Sequence, residues 1–422
     1  MSRIAAILLA ACMILASVPA GFAWAAEADS YAKVMPKTES VIASSMKAEY
    51  GYEWQSIDLA RNGKAVSKRY YIALADEVKN AKGNMENPNN VYSYTNNAKA
   101  ILALTAGGYD ARNIHGYNLV SKLSDVKAVT AQGPNGAMYA LLALDSAGYS
   151  LRINGEDARD VYVRSILDSR LEDGTWSYMG DSGDVDLTSI AIMALAPYRA
   201  SNEAAGEAID KAVDWLASQM SDNGTFQSWG TYNSNSTASV IFGLSANGIN
   251  PAADERFVRN GENPVSGMLS FALADGNFGY DSNTEADGFA TEQCFQAMVS
   301  LKLLESGKSM YVMRSKPDSL KKVTNAIISG VKASVSKVTP GKKLLKVTAA
   351  KESFATGYEI KCSTSSKFGK SSTKTVKSKS NTVTVKKLKA GKKYYVKVRA
   401  LKKSGGKTYP TAWSSVKSAK VK

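Results

Sequence analysis

The chain has 422 residues, 44% of them hydrophobic, and a formal net charge of +15, which is ample for two hydrophobic cores and excludes a disordered polyelectrolyte. Its three cysteines, Cys12, Cys294 and Cys362, are widely separated, which excludes a disulfide framework and a cysteine-based zinc site. The charge is unevenly divided: residues 331–422 hold 25 Lys and Arg against two acids, Glu352 and Glu359, leaving 28 basic and 36 acidic residues in 1–330, so an acidic body carries a strongly basic tail.

Residues 1–26 contain one basic residue, Arg3, a long apolar run and the small-residue stretch Ala23-Trp24-Ala25-Ala26, the pattern of a secretory signal peptide cleaved near Ala25. A secreted or cell-surface protein is the expectation. Leu9-Ala10-Ala11-Cys12 offers a lesser alternative, lipid attachment at Cys12, opposed by the apolar sequence that continues from Met13 to Ala26. No later stretch reaches the roughly 18–20 uninterrupted apolar residues of a membrane span.

Residues 27–38 read as a short leader and 39–51 as the first outer helix. From there to about residue 310 the chain repeats itself. Leu171-Glu-Asp-Gly-Thr-Trp176 is followed by the apolar run Thr188–Leu195; Ser221-Asp-Asn-Gly-Thr-Phe226 by Ser236–Leu244; Ala274-Asp-Gly-Asn-Phe278 by Ala290–Leu301. Ala98–Tyr109 and Ala137–Tyr149 are near copies of each other, and Trp54–Gly63 is a weaker one. The last core leucines, Leu59, Leu104, Leu144, Leu195, Leu244 and Leu301, lie 40 to 57 residues apart, room for two helices and two connections per unit. Six such units predict a closed ring of twelve helices. Amphipathic segments such as Ala208–Met220 belong outside, and the almost wholly apolar segments belong inside.

The residue nine before each leucine is Tyr50, Thr95, Asn135, Asp186, Asn235 and Glu292. Their types predict helix N-caps. They equally predict a polar mouth, because inner helices that all begin at one rim bring their positive ends together there. Aromatic and amide residues crowd the same loops: Tyr92, Tyr94, Gln132, Trp176, Tyr178, Trp229, Tyr232, Asn233, Phe289 and Gln293. Of these, Trp176, with Phe226 and Phe278, reads as a wedge between repeats.

These turns, with Asp184-Val-Asp-Leu-Thr-Ser189, Gly230–Thr237 and Ala290-Thr-Glu-Gln293, resemble the prenyltransferase and squalene oxidase repeats of the terpenoid cyclase-like α/α toroid. They are most similar to its secreted surface branch in Gram-positive bacteria, whose fold is similar to the transcobalamin ring. Gln219 followed by Gly224-Thr-Phe226 matches the Gln-and-Trp repeat of the squalene-hopene cyclases with Phe in the Trp place, while Arg170 replaces the Gln one copy earlier. The resemblance implies the fold over about 50–305 and leaves activity open, since that fold hosts unrelated functions. The cyclases' acidic motif has a third carboxylate that Asp184-Val185-Asp186-Leu187 lacks. The zinc of protein prenyltransferases needs Asp, Cys and His ligands, and the sole histidine, His115, sits beside Gly116 in a predicted loop. No metal or cofactor is implied.

Residues 311–330 read as a linker with a short helix in 319–329. Beyond them the period becomes alternating, in Lys346–Thr348, Tyr358–Cys362, Thr382–Val385 and Tyr394–Ala400, which predicts a small β-sandwich over 331–422. Leu388–Ala400 resembles the tyrosine-corner segment of a fibronectin type III domain and Trp413 the entry to its last strand, with Ala390 in the usual Pro place and Val347 near the missing early Trp.

The fold class is therefore an all-α (α/α)6 toroid, 40–310, followed by an all-β fibronectin type III-like sandwich. The functional expectation is an exported, non-catalytic, envelope-associated protein that binds a small molecule or glycan at the polar mouth through Tyr94, Gln132, Asn135, Tyr178, Asp184, Asp186, Trp229, Tyr232, Asn233, Asn235, Glu292 and Gln293. The basic module would attach it to anionic cell-envelope polymers, nucleic acid not being an expected partner of an exported chain. The alternative is a cyclase-like or glycan-cleaving enzyme using Asp184, Asp186 or Glu292, with Asp287 as a further carboxylate near the mouth.

Overall fold

The computed structural model describes residues 28–86, 95–131, 133–178 and 180–422; the signal-peptide and lipid-attachment readings, Tyr92, Tyr94 and Gln132 fall outside them. Helix α1, Ala28–Ser45, occupies most of the stretch read as a leader. Tyr31, Met35, Thr38 and Ile42 all bury on one face, and the chain turns before Gly51, whose φ of +102° cannot continue a helix.

The body continues with α2 (Glu53–Arg61), α3 (Lys68–Asn80) and α4 (Asn96–Ala106), strand β1 (Tyr109–Ile114), the single turn α5 (Val126–Val129) and α6 (Pro134–Asp145). A small hairpin, β2 (Arg152–Ile153) and β3 (Glu156–Asp157), leads into α7 (Ala158–Asp168), then α8 (Val185–Leu195) and α9 (Glu203–Gln219). A second hairpin, β4 (Phe226–Ser228) and β5 (Thr231–Asn233), precedes α10 (Ser234–Ala246), α11 (Pro264–Leu269) and α12 (Gly288–Glu305).

Composition sorts the helices. In α9, Ile209, Val213 and Leu216 are buried while Asp210 and Asp214 are exposed on the opposite face, so one side of the helix meets water. In α8 and α10 nearly every residue is buried, which requires neighbours on several sides. The packing follows: α2, α4, α6, α8, α10 and α12 each lie against the next, and α12 returns to α2. The six core leucines are all buried within these helices. Outside them, α1 packs on α12 and α2, α3 on β1, α5 on α6, α7 on α6 and α9, α9 on α8, and α11 on α10.

The repeated turn is built the same way three times. The N–H of Leu171, Ser221 and Leu273 donates to the carbonyl oxygen of Thr175, Thr225 and Asn277 at 2.8, 3.0 and 2.9 Å. The aromatic that follows, Trp176, Phe226 or Phe278, is fully buried. Its own N–H donates to the hydroxyl of Thr188, Thr237 or Thr291, at 3.1, 3.1 and 2.9 Å, in the next inner helix. Each ring is thus a wedge pinned by a backbone bond, as expected. Glycine is required in this turn at position 224: its φ is +78° and a Cβ there would stand 2.2 Å from the Asn263 carbonyl oxygen.

The linker is helical over only part of the stretch where a short helix is predicted, and there as 3-10 turns. It makes a 3-10 turn at Pro317–Ser319, strand β6 (Lys321–Val323) and a 3-10 segment at Asn325–Gly330, and β6 pairs in parallel with β1. Lys321-Lys322-Val323 is too short to show a period, so the partner strand decides its conformation.

The basic tail is the predicted sandwich. It comprises β7 (Val335–Gly341), β8 (Leu344–Ala349), β9 (Gly357–Ser363), β10 (Thr373–Ser378), β11 (Thr382–Lys386), β12 (Lys393–Ser404), β13 (Lys407–Pro410) and β14 (Lys417–Lys420). One sheet runs β11-β8-β7, the other β10-β9-β12-β13 with β14 also on β12. Val347, Ile360, Cys362, Val396 and Val398 fill the space between them, and the Tyr394 hydroxyl accepts the Lys389 N–H at 3.1 Å. The sandwich is tied to α3: Ile72 enters its core, Arg69 forks onto Glu352 at 2.8 Å, and Lys402 pairs with Asp76.

Candidate functional site

The polar column before the leucines does not cap the helices. The caps lie upstream: Asp184, Asn233 and Asp287 accept the N–H of Leu187, Ser236 and Ala290 at 2.7, 2.8 and 2.7 Å. Thr95 does stand at the N-terminus of α4, without a side-chain bond, and Gly133 holds that place in α6. Helices α6, α8, α10 and α12 begin earlier than their hydrophobic pattern suggests, because the polar first turn belongs to them. Asp186 and Asn235 are thereby left in the first turn and Glu292 in the second, free of any capping duty.

They meet around a cavity of about 530 Å³ enclosed by the inner helices. Of the predicted residues, Asn135, Tyr178, Asp186, Trp229, Asn233, Asn235, Glu292 and Gln293 line it. Asp184 and Tyr232 do not. Asp184 is held by its cap and by the Ser228 hydroxyl at 3.2 Å; the Tyr232 ring points to solvent, 45% exposed. Asp287, likewise a cap, is also absent from the lining. Asn235 donates to Gln293 Oε1 at 2.7 Å, locking both amides in place.

Ile190, Met193 and Phe242 add apolar side chains to the lining. The aromatic lining is richer than predicted: Trp54 and Tyr139 face each other with centroids 5.5 Å apart, Tyr311 stands beyond them, and Tyr280 and Phe289 join Tyr178 and Trp229 as exposed rings. Trp229 is the extreme case, 82% exposed. It occupies the first loop position of the β4–β5 hairpin with φ +54°, followed by Gly230 at +81°. That is a type I′ turn, which favours Asn-Gly and places a bulky ring at a strained position.

Directly behind the cavity wall, against the lining residue Glu292, stands a residue the sequence reading missed. Asp58 of α2 is fully buried and its carboxyl meets that of Glu292. Two carboxylates supply no donor to each other, so the contact needs a shared proton. Burial pushes Glu292 up to about 7, and burial together with Glu292 raises Asp58 well above the usual carboxylate range. Asp186 is pushed up to about 6, by burial first and Asp184 second, against hydrogen bonds from Ser239, Ser236 and Ser228. Lys99 also lines the cavity; burial lowers its pKa while Glu53 acts the other way. Among the described residues no three His, Cys, Asp or Glu side chains are grouped to hold a metal ion. His115 lies away from the lining, its Nε2 3.8 Å from Asp76. A signal for Asp58 did exist: an acid immediately before a core leucine in an otherwise buried helix has to meet a partner or a ligand.

In the basic domain, the outer face of β9 and β12 presents Lys361, Lys397 and Arg399 over the ring of Trp413, at 5.1, 5.2 and 4.6 Å from its centroid. The protein is thus a helical body with a central polar cavity, joined to a basic β-sandwich. Residues 332–417 match the fibronectin type III domain family, and the sandwich is a fibronectin type III domain. No curated protein matches the chain.

Proposed function

We propose that the helical body is an (α/α)6 toroid of the terpenoid cyclase-like kind and that its cavity binds a hydroxyl-rich small molecule or glycan. The observation that carries this reading is the composition of the lining: amides and carboxyls converge below a rim of exposed rings, one of which, Trp229, is kept outward in a strained turn. Polar groups that fix orientation and rings that cover an apolar sugar face are what such a ligand needs, and backbone strain at an exposed ring points to use. The closed packing order of the inner helices and the pinned aromatic wedges support the toroid.

The test is titration of the full chain with a panel of neutral and charged oligosaccharides, following tryptophan fluorescence. Saturable quenching by at least one class below about 10 mM is the expected result; no response from any of them removes the reading. Bound ligand should be recovered intact. Appearance of cleaved or cyclised product would move the protein to the catalytic alternative, in which Asp186 and Glu292 keep their acid–base candidacy while Asp184, committed to its cap, loses it.

The basic domain completes the proposal: export to the envelope and attachment there to anionic polymers. Support comes from the lysine-rich composition and from the Lys361, Lys397, Arg399 and Trp413 cluster. Retention on a phosphate-rich polymer should fall steeply with salt and weaken further in Lys397→Glu. Retention insensitive to both would dismiss electrostatic attachment.

A further inference from the structure

Buried acceptors in and behind the cavity wall lack partners. Beyond the one proton that Asp58 and Glu292 share, their remaining oxygens, Oδ1 of Asp186 and Oδ1 of Asn135 find no donor within the protein. Glu292 and Asn135 line the cavity while only 3% and 7% exposed. Two of the amide donors in the lining are already engaged: Asn235 donates to Gln293, and Gln296 to the Tyr311 hydroxyl. Among the lining residues only Lys99 is basic, and Glu53 is the carboxylate it faces.

What enters this space has to bring donors. A hydroxyl brings one donor and further acceptors, whereas an ammonium group brings three donors, no acceptor and a positive charge. The acids are not grouped as a metal site. The rings of Trp54, Tyr139 and Tyr178 around them supply the electron-rich faces an organic cation favours.

We propose that the cavity selects ligands carrying a primary ammonium group, an unacetylated amino sugar in the saccharide reading, which docks on the Asp58–Glu292 carboxyl pair. This rests on the ligand-binding reading of the cavity and names the chemistry it selects. When the ammonium arrives, the proton held by the pair leaves to solvent and the ligand's N–H groups take its place, so charge balances inside the cavity. Affinity therefore rises with pH between about 5 and 6.5, below the range in which an amino sugar's own ammonium loses its proton. The other titratable groups facing the pair are Asp186, Tyr139, Tyr311 and Cys294, with Lys99 further along the lining and Glu53 beside Lys99. Burial raises both tyrosines and the cysteine, so none of these three loses its proton in that range.

The experiment compares a glucosamine tetramer with its N-acetylated counterpart by calorimetry on the full chain, at about pH 5 and about pH 6.5, where the amine stays protonated. The amine form is expected to bind about tenfold tighter at the higher pH, with proton release visible as a dependence of the heat on buffer. Glu292→Gln and Asp58→Asn should each reduce the preference to about twofold or less, with thermal melting confirming that each variant is folded. Equal affinity for the two tetramers in the native chain, or an undiminished preference in both variants, overturns the inference and leaves saccharide binding standing. Failure of both tetramers to bind, when another saccharide of the panel does, equally overturns it. Failure of the whole panel removes the underlying reading as well.

Discussion

Glu292→Gln is expected to be more stable than the native chain at pH 8, by roughly 3 kcal/mol, and close to it near pH 4. The sign follows from the direction of the shift. Glu292 is raised from 4.5 to about 7 in the folded state, so the folded chain holds its proton over a pH range where the unfolded chain has lost it. The stabilisation is complete below about 4.5 and is lost as pH rises through about 7, where a charge must reside in a buried place. Asp58 moves in the same direction and shares the proton, so the two titrate as a pair. Glutamine keeps the shape and removes the charge. Thermal denaturation across pH checks this: the native melting temperature should drop between pH 5 and 8 by roughly 6–10 °C more than that of the variant. Parallel curves for the two proteins would mean that the carboxyls are not held as described.

The second large effect is at the rim. Trp229→Asn should lose about 30-fold in saccharide affinity, the equivalent of roughly 2 kcal/mol of buried ring face, and yet melt at a higher temperature. The hairpin asks for a residue that accepts φ near +54°, and Asn meets that demand at less cost than Trp, by roughly 0.5–1 kcal/mol. Stability and affinity thus move in opposite directions in one variant. A lower melting temperature would refute the strain, and an unchanged affinity would refute the ring's role as a platform.

Local features were legible in the sequence to the extent that their causes are local. The Asp-Gly-Thr-Trp176 and Asn-Gly-Thr-Phe226 turns need a left-handed glycine and an aromatic to bury, and both are written in consecutive residues. The alternation in Tyr394–Ala400, with the tyrosine-corner segment Leu388–Ala400 and Trp413, pointed to a fibronectin-like sandwich. Helix starts were read too late, at Asp186 and Asn235 instead of just after Asp184 and Asn233, because hydrophobic periodicity is silent about a polar first turn. That error assigned a capping role to side chains that face the cavity.

By itself the sequence determined the division into an acidic helical body and a basic β-domain, the repeat, the wedges, and the presence of polar residues at a constant place in every unit after the first. Only the tertiary structure decided which of them meet. Asp58 and Glu292 come from opposite ends of the helical body and touch because α12 packs back on α2; no pattern along the chain encodes a distance between the first unit and the last. Likewise β6 becomes a strand only because β1 is beside it, and Ile72 leaves one core for another because α3 lies against the sandwich. The physical reason is common to all three: propensity and periodicity act over a few residues, whereas burial, shared protons and strand pairing depend on what long-range packing brings within a few ångströms.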